Sequence, residues 1–485
     1  MKTQRSENPE LTFPHKSVKI KIRKSENQKS RKVSEGIMQK PYLTKGMDQM
    51  KKLIALTLAA AVLLLGGCDN TANAPSDTTK EQTGGGTVSD SGSVTGGAEG
   101  SGTAAESGGG SKDLPDSSLT EEQQREYMIE HSFITEGDTS RMARVLKKAK
   151  AGEEITVGFI GGSITEGLTA GADACWAKLT YNALCEMFPD TKINYVNAGL
   201  SGTPSVLGVV RAERDLFADK SPDIVFIEFA VNDGQEQMYK ECYESLVKKS
   251  LDKDNAPAVV LLFTVLKNRF SCQEHMSAVG EHYKLPMISV GNAINPMFDA
   301  GLMTWEKYSD DESHPNVWGH ELVKDFIMNY INKVNEKAQS QDAPEPAPLP
   351  DKALYSTEYS GIRLLERDQM KVTKTEGFDE SDNVIATFKN GWNYRDNTGA
   401  SVTFTETFKT LFLVFKCNKS PNQADAEVYV DGELVKTLPS NKPGGWGNPE
   451  ADLAWSGEEG EHTVEIRIAE SEKAMLYGLC GIGIQ

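Results

Sequence analysis

The chain has 485 residues, of which 38% are hydrophobic and 25% are charged, so we expect two or three folded units joined by linkers. Residues 1–67 are basic, whereas the rest of the chain has 38 Lys and Arg residues against 65 Asp and Glu residues, a net charge of −27. Such an acidic body repels phosphate backbones, which argues against nucleic acid as a partner.

The first informative segment begins at Met50. Two lysines precede an apolar run, and the run ends in Leu65-Gly66-Gly67-Cys68, an order typical of a bacterial lipoprotein signal peptide. We therefore predict a signal peptide over 50–67, lipidation of Cys68, and an extracellular protein held to the cell membrane only by that lipid. An ordinary signal peptide with a coincidental cysteine is the alternative. Residues 1–49 are interpreted as upstream sequence from a start codon assigned too early, or as a basic extension.

Two segments have the composition of linkers. Residues 68–113 are mostly Gly, Ser, Thr, Asp and Glu and cannot bury enough apolar surface to fold, so we predict a flexible tether. Residues 338–352 contain Ala-Pro-Glu-Pro-Ala-Pro-Leu-Pro, which is typical of a stiff, extended connection. The predicted folded domains are therefore 114–337 and 353–485.

In the first domain, short apolar runs alternate with longer amphipathic patterns. The runs predict buried parallel strands and the longer patterns predict helices, such as Trp176–Met187, Met238–Lys249 and Glu321–Lys333. This alternation favours a three-layer α/β/α fold, in which ligands bind beyond the carboxyl ends of the strands. The sheet is expected to have five strands, at Ile155–Ile160, Ile193–Val196, Ile224–Phe229, Val259–Thr264 and Met287–Val290.

After residue 352 the apolar residues alternate with period two, and no helical pattern intervenes. The segments Val402–Phe404, Leu411–Phe415, Val428–Val430 and His462–Ile468 predict strands, and Asp431-Gly432 predicts a tight hairpin turn. We therefore expect an all-β sandwich or jelly roll.

Polar and glycine-rich loops follow three of the predicted strands. They contain Gly162-Ser163-Ile164, Gly199 to Gly202, and Val231-Asn232-Asp233, and a further polar turn spans 311–316 ahead of the last helix. Because parallel strands end at the same edge of a sheet, these loops are expected to converge on one site.

Serine-dependent ester hydrolysis needs a nucleophile, a base, a group that orients the base, and donors for the oxyanion. The chain offers Ser163 as nucleophile and His314 as base, with Asp311 or Asp310 to orient it. Oxyanion donors are the Ser163 N–H, the N–H of Gly202 or Gly199, and the Asn232 amide. His320 also lies nearby in the sequence, but its helical spacing favours a structural role. Ser163 could instead only cap a helix, and Asn232 could be a simple turn residue.

These blocks, in this order, resemble the SGNH (GDSL-like) hydrolase superfamily, over residues 150–335. The resemblance implies a flavodoxin-like fold, catalytic residues Ser163, Asp311 and His314, and oxyanion donors at Ser163, Gly202 and Asn232. One departure is Gly162, where the family's name motif has Asp. Ser163 does not lie in a G-x-S-x-G turn, which disfavours the α/β-hydrolase fold.

The substrate is less directly encoded. The predicted second domain resembles the carbohydrate-binding modules attached to O-acetyl-polysaccharide esterases, and a lipid-anchored enzyme meets polysaccharide first. The leading hypothesis is an esterase that removes O-acetyl groups from polysaccharide or oligosaccharide at the cell surface. Alternatives are an O-acetylpeptidoglycan esterase, a lipase- or thioesterase-type acylhydrolase, and a glycan-binding surface lipoprotein with an inactive catalytic domain.

Trp446 is a candidate for substrate binding because it lies in a Gly- and Pro-rich loop, from which an exposed indole can stack on a sugar ring. A core position for Trp446 is an equally good interpretation, and Trp392 and Trp455 are expected in the core. No phosphate-binding loop, haem motif or metal-ligand cluster is evident, so neither a cofactor nor a metal is expected.

Overall fold

The computed structural model describes residues 114–340 and 345–485, without the side chains of residues 339 and 340. The predicted signal peptide, the predicted lipidation site at Cys68 and the whole predicted tether over 68–113 lie outside the described residues. Within the described ranges, no helix combines the length and apolar character needed to cross a membrane.

The first part of the described chain forms a six-stranded sheet in the order β1-β6-β5-β4-β2-β3. The five predicted parallel strands are all present, but the prediction of a five-stranded sheet was incomplete. An additional strand pairs antiparallel with β6 at the edge, and it was missed because only two of its residues are apolar and none is fully buried. The strands are β1 (Phe133–Thr135), β2 (Ile155–Gly161), β3 (Ile193–Gly199), β4 (Ile224–Glu228), β5 (Ala258–Phe263) and β6 (Met287–Ser289).

Helices cover both faces of this sheet, as the α/β/α prediction required. Alternate strand residues point to opposite faces: Val260 and Leu262 of β5 join one apolar core, and Val259 and Leu261 join the other. The helices are α1 (Glu121–His131), α2 (Ser140–Lys150), α3 (Ser163–Glu166), α4 (Trp176–Met187), α5 (Ser205–Asp215), α6 (Gln237–Leu251), α7 (Gln273–His282), α8 (Val290–Asp299), α9 (Trp305–Tyr308) and α10 (Val317–Ser340).

The strand order places the catalytic edge at a topological switch point. From β2 the chain passes to β3 on one side and then to β4 on the other, and both pair with β2 in parallel. Gly161 at the end of β2 is in register with Gly199 of β3 and Glu228 of β4. The three loops therefore leave the sheet at the same level, where a parallel sheet binds its ligands.

The rest of the chain is a nine-stranded antiparallel β-sandwich. The predicted hairpin is confirmed: Asp431 and Gly432 both have positive φ, as a two-residue turn requires. Two predicted strands, Val402–Phe404 and Leu411–Phe415, belong to one long strand, because a β-bulge near Phe408 bends it without ending it. The strands are β7 (Arg363–Leu365), β8 (Val372–Glu376), β9 (Asp379–Ser381), β10 (Gly391–Asp396), β11 (Ala400–Asn418), β12 (Asp425–Val430), β13 (Glu433–Pro439), β14 (Trp446–Ile468) and β15 (Met475–Ile484).

The β-sandwich packs directly on α5 and α6 of the α/β domain. Val206 and Val210 of α5 share one buried apolar cluster with Phe412, Val414 and other residues of the sandwich. A methyl group added at Gly483 would lie 2.8 Å from a Val210 side-chain carbon, so the backbone of β15 approaches α5 closely. Because α5 starts just after Gly202, the sandwich is packed beside one of the predicted site loops.

Candidate active site

Ser163 is the first residue of the short helix α3 and follows a tight turn at the end of β2. Two glycines make the turn possible: a Cβ at Gly161 would lie 2.2 Å from Thr165 Oγ1, and one at Gly162 would lie 2.2 Å from Asn232 Oδ1. Gly167, with φ of +91°, ends the helix after one turn. The glycine at position 162 is thus explained by the structure, because no side chain fits between the turn and Asn232.

Ser163, His314 and Asp311 form a continuous hydrogen-bonded chain. Ser163 Oγ lies 2.8 Å from Nε2 of His314, and Nδ1 of the same ring lies 2.8 Å from Asp311 Oδ2. The serine is 8% exposed, so its hydroxyl is largely shielded from bulk water. With the Nδ1 proton donated to Asp311, Nε2 is free to accept the serine proton.

The turn that carries His314 is held from several sides. Ser309 Oγ lies 2.8 Å from the Asp311 carbonyl oxygen and 2.5 Å from the His314 carbonyl oxygen, so its single proton is donated within this turn. Thr169 Oγ1, just beyond the nucleophile helix, donates to the Pro315 carbonyl at 2.6 Å. These bonds fasten the base-bearing turn to the segment that follows Ser163.

The structure also separates the two acids proposed to orient His314. Asp311 Oδ1 accepts from the backbone N–H groups of Ser313 and His314, while Oδ2 accepts from the imidazole. Asp310 instead accepts from the Asn316 side chain at 3.3 Å. Partial burial acts to raise the pKa of Asp311, but the hydrogen bonds from His314 and Ser313 outweigh it and hold the pKa below its ordinary value. Asp311 is therefore a carboxylate at neutral pH.

Two of the predicted oxyanion donors come from the backbone. The Ser163 N–H opens a helix and so has no partner within it. Gly202 has φ of +69°, and among the described residues nothing accepts a hydrogen bond from its N–H. Gly199, the competing candidate, already donates its N–H to Asn197 Oδ1 at 2.9 Å. The geometry therefore favours Gly202.

Asn232, the third predicted donor, lies against the nucleophile turn. Its amide sits so close to Gly162 that a Cβ there would be 2.7 Å from Nδ2, and its buried Oδ1 has no hydrogen-bond partner among the described residues. The neighbouring Asp233 points the other way and accepts from the N–H and hydroxyl of Ser205, at 2.7 and 2.6 Å. Burial raises the pKa of Asp233 to about 7. Asn232 therefore lies at the catalytic site, whereas Asp233 holds the start of α5 through Ser205.

Trp446 lies on the β-sandwich but reaches the site. It is 61% exposed, and a Cβ built at Gly202 would be 3.0 Å from the indole Nε1. The core interpretation of this residue is therefore wrong. Trp392 is fully buried, as expected, while Trp455 is partly buried and stacks edge-on against Phe408.

His320 has the structural role that its spacing suggested. It is fully buried, and its Nδ1 accepts from the Trp176 N–H at 3.1 Å, which ties the last helix to the start of α4. Burial, with a smaller effect of His314, lowers the pKa of His320 to about 4, so the ring stays neutral near pH 7.

Two buried charged residues behind the site were missed in the sequence. Glu228 ends β4 and accepts from the hydroxyls of Thr165 and Thr264, at 2.9 and 2.6 Å. Arg211 donates to the carbonyl oxygens of Ala198 and Gly161, at 2.7 and 3.1 Å, and so braces the ends of β3 and β2. Glu228 stands alone in the apolar run from Ile224 to Val231, a signal that could have marked it, whereas Arg211 precedes the charged residues 213–215 and had no such signal.

The arrangement has the parts of a serine acyl-transfer site. A shielded hydroxyl touches an imidazole, a carboxylate fixes the imidazole, and two N–H groups and an amide lie on the loops beside the hydroxyl. Among the described residues, no group of three or more His, Cys, Asp and Glu side chains is arranged to hold a metal ion.

Comparison with known proteins agrees with this geometry. Residues 159–322 match the model of the GDSL-like lipase/acylhydrolase family. A crystal structure of a two-domain esterase active on acetylated mannans is 31% identical to the chain, with a TM-score of 0.66, over 73% of this chain and 97% of the esterase. A crystal structure of a two-domain esterase active on acetylated mannans, co-crystallised with mannopentaose, is also 31% identical, with the same coverage and a TM-score of 0.64. No curated protein sequence matches the chain.

The chain therefore belongs to the GDSL-like lipase/acylhydrolase family, within the SGNH esterase superfamily. It is a carboxylic ester hydrolase, and the two-domain architecture is shared with the acetylmannan-active esterase. The hypothesis of a non-catalytic glycan-binding protein is thereby disfavoured.

Proposed function

We propose that the protein removes O-acetyl groups from polysaccharide or oligosaccharide, with Ser163 as nucleophile, His314 as general base and Asp311 as the orienting carboxylate. The observation that carries the catalytic part is the unbroken chain from Ser163 Oγ through His314 to Asp311, with both contacts at 2.8 Å. Both contacts already have hydrogen-bond length, as general-base catalysis requires.

The reaction proceeds in two steps. Ser163 Oγ attacks the acetyl carbonyl carbon while His314 Nε2 takes the hydroxyl proton, and the oxyanion accepts hydrogen bonds from Ser163 N–H, Gly202 N–H and the Asn232 amide. Collapse breaks the bond to the sugar oxygen, which leaves with the proton from His314. A water molecule, deprotonated by His314, then attacks the acetyl-serine, and acetate is released as Ser163 regains its proton.

Substitution of the serine tests the catalytic assignment. Ser163→Ala removes the attacking oxygen, so kcat for p-nitrophenyl acetate should fall by roughly 10³-fold or more, to the rate left by binding and oxyanion stabilisation. Ser277→Ala on α7 is the matched control, because Ser277 bonds only the carbonyl of Glu274. Equal hydrolysis by wild type and Ser163→Ala would contradict the assignment.

Two observations support a carbohydrate substrate. The solved esterase that is 31% identical is active on acetylated mannans. In this chain, the exposed indole of Trp446 lies beside Gly202, where its apolar face can stack on the ring that carries the scissile acetyl group. Acetylated mannan or related hemicellulose fragments are therefore the proposed substrates, ahead of peptidoglycan or lipid esters.

Substitution of Trp446 tests sugar binding separately from the catalytic step. Trp446→Ala should lower kcat/KM for acetylated manno-oligosaccharides by roughly tenfold, which corresponds to about 1.4 kcal/mol for the lost stacking contact. Hydrolysis of p-nitrophenyl acetate, which has no sugar, should change little. Trp446→Phe keeps an aromatic face and should retain most of the activity. A wild-type enzyme that prefers p-nitrophenyl octanoate, or acetylated peptidoglycan, would instead favour one of the other esterase hypotheses.

We also propose that the enzyme is secreted and lipid-anchored through Cys68, on the strength of the sequence around Leu65 to Cys68. Cys68→Ser should then abolish incorporation of labelled palmitate and shift the protein from the membrane fraction to the soluble fraction. Unchanged membrane association of Cys68→Ser would contradict the anchor and leave the catalytic proposal unaffected.

A further inference from the structure

We propose that Asn448, on the β-sandwich, is a positioning residue for the oxyanion loop around Gly202, so that the second domain completes the active site of the first. The inference rests on the proposed function, in which the Gly202 N–H stabilises the oxyanion. Its basis is a direct contact between the domains: Asn448 Nδ2 donates to the Gly202 carbonyl at 3.2 Å.

Gly202 needs an external restraint. Its φ of +69° lies in the left-handed region, which glycine enters and leaves at little cost, so its own conformational preferences do not fix the direction of its N–H. On the N-terminal side, Ser201 is held by Glu166, whose Oε2 accepts from the Ser201 N–H at 2.8 Å and from the Ser201 hydroxyl. The bond from Asn448 holds the carbonyl side. The Leu200–Ser201 peptide and the Gly202–Thr203 peptide are therefore both held, and the Ser201–Gly202 peptide, which carries the Gly202 N–H, lies between them.

Asn448 is itself well oriented. It is 7% exposed, and its Oδ1 accepts from the Trp446 N–H at 3.1 Å and from the Cys417 thiol at 3.4 Å. With the oxygen end occupied by two donors, the NH₂ end must face Gly202. Pro449 follows directly and restricts the Asn448 backbone to extended conformations.

Asn448 lies at the start of β14, and the turn just before it is fastened to the rest of the sandwich. The Gly445 carbonyl accepts from the Lys419 N–H at 3.0 Å, and a Cβ at Gly445 would lie 2.7 Å from the Asn418 backbone. Lys442 pairs with Asp452 at 2.9 Å and with Glu450 at 3.3 Å. The sandwich therefore presents Asn448 to Gly202 from a rigid support, which is the condition for a positioning group.

Two variants test the role of the amide. Asn448→Asp keeps the size and the oxygen acceptor but removes the donor to Gly202, and Asn448→Ala removes the whole amide without adding charge. In both, kcat for p-nitrophenyl acetate should fall about tenfold or more, with KM little changed, because a misplaced oxyanion donor weakens transition-state binding. Asn441→Asp is the matched control, since Asn441 lies in the connection just before β14 and is exposed.

A second readout separates positioning from a general structural effect. The ratio of kcat/KM for p-nitrophenyl acetate to that for its thionoester analogue reports oxyanion hydrogen bonding, because sulfur is a weak acceptor. We expect this ratio to fall severalfold in both Asn448 variants and to stay constant in Asn441→Asp. Loss of activity with an unchanged ratio, or wild-type kcat in a folded variant, would overturn the inference. If Asn448→Asp does not fold, the kcat and the ratio measured for Asn448→Ala test the positioning role.

The test is independent of the substrate proposal. Because p-nitrophenyl acetate carries no sugar, an effect of Asn448 would be measured even if the enzyme did not act on acetylated glycans. If wild type and Ser163→Ala were equally active, the proposed function itself would have failed. A wild-type rate in Asn448→Ala beside an inactive Ser163→Ala would refute only the positioning role.

Discussion

At the scale of single residues, the structure explains a departure from the family motif. Gly162 occupies the position where the family's name motif has Asp. The glycine is required here because the Asn232 amide fills the space that a Cβ would take, 2.2 Å from Oδ1. The same close approach brings Asn232 next to Ser163. The absence of a side chain at one position thus allows a proposed oxyanion donor to reach the site from another strand.

A pair of neighbouring acids provides a residue-scale prediction. Asp311→Asn should lower kcat for p-nitrophenyl acetate by roughly 10³–10⁴-fold, because the amide NH₂ would face Nδ1 and favour the ring tautomer with the proton on Nε2, which cannot accept from serine. Asp310→Asn should leave kcat unchanged, since Asp310 bonds Asn316 and not the imidazole. Comparable losses of kcat in both variants would show that activity depends on the conformation of the turn and not on the contact between Asp311 and His314.

At the scale of elements, the catalytic edge is built by fastening loops to one another. Asp233, after β4, holds the start of α5 through Ser205, and the loop before α5 contains Gly202. Arg211 of α5 reaches back to the carbonyl oxygens at the ends of β2 and β3. The proposed oxyanion donors on two loops are therefore held in place by buried polar contacts behind them.

The buried Asp233 predicts a dependence of stability on pH. Burial raises the pKa of Asp233 from 3.8 to about 7, so between these values the folded protein holds a proton that the unfolded chain has released. The contribution of Asp233 to stability is then complete below about pH 4 and is lost as pH rises toward 7. Asp233→Asn keeps an acceptor for the Ser205 N–H without titrating, so it should gain stability relative to wild type from pH 5 to pH 8.

The measurement is the melting temperature of both proteins at several values of pH in this range. We expect a difference that grows by several degrees, at about 2–4 °C for each kcal/mol in a domain of this size. Asp254→Asn is the control, since Asp254 is an exposed carboxyl. The difference in melting temperature between this variant and wild type should not change with pH. A difference in melting temperature between Asp233→Asn and wild type that does not change with pH would contradict the prediction.

At the scale of the whole molecule, the two domains share an apolar core. Val206 and Val210 of the α/β domain and Phe412 and Val414 of the sandwich belong to one buried cluster. Three backbone N–H groups after the linker, at Leu354, Tyr355 and Ser356, donate to the carboxylate of Glu244 on α6. Separation of the domains would expose this apolar surface and leave Glu244 without these donors.

The shared core predicts cooperative unfolding. A protein spanning residues 114–485 should show a single calorimetric transition, because neither domain retains its full core without the other. A fragment of residues 114–340 should melt at a lower temperature or aggregate, and its hydrolysis of p-nitrophenyl acetate should fall with the loss of Asn448. Two well-resolved transitions in the longer protein would show instead that the domains are stable independently.

The sequence by itself determined the fold class and the order of the site blocks. Runs of apolar residues and their period are local properties, so five of the six strands in the sheet and the all-β character of the second part were predictable. The edge strand Phe133–Thr135 was not, because it has only two apolar residues and none of its residues is fully buried. Ser163, His314 and Asp311 were predicted from motifs, and the structure brings them within hydrogen-bond distance.

Only the tertiary structure decided which groups meet across long distances in the chain. Residue patterns left Gly199 and Gly202 as alternatives, and the choice depends on a hydrogen bond from Gly199 to Asn197. Trp446 and Asn448 both lie against Gly202, more than 200 positions earlier in the chain. No local pattern encodes such contacts, because they depend on how the sandwich packs on α5, which is a property of the whole buried interface.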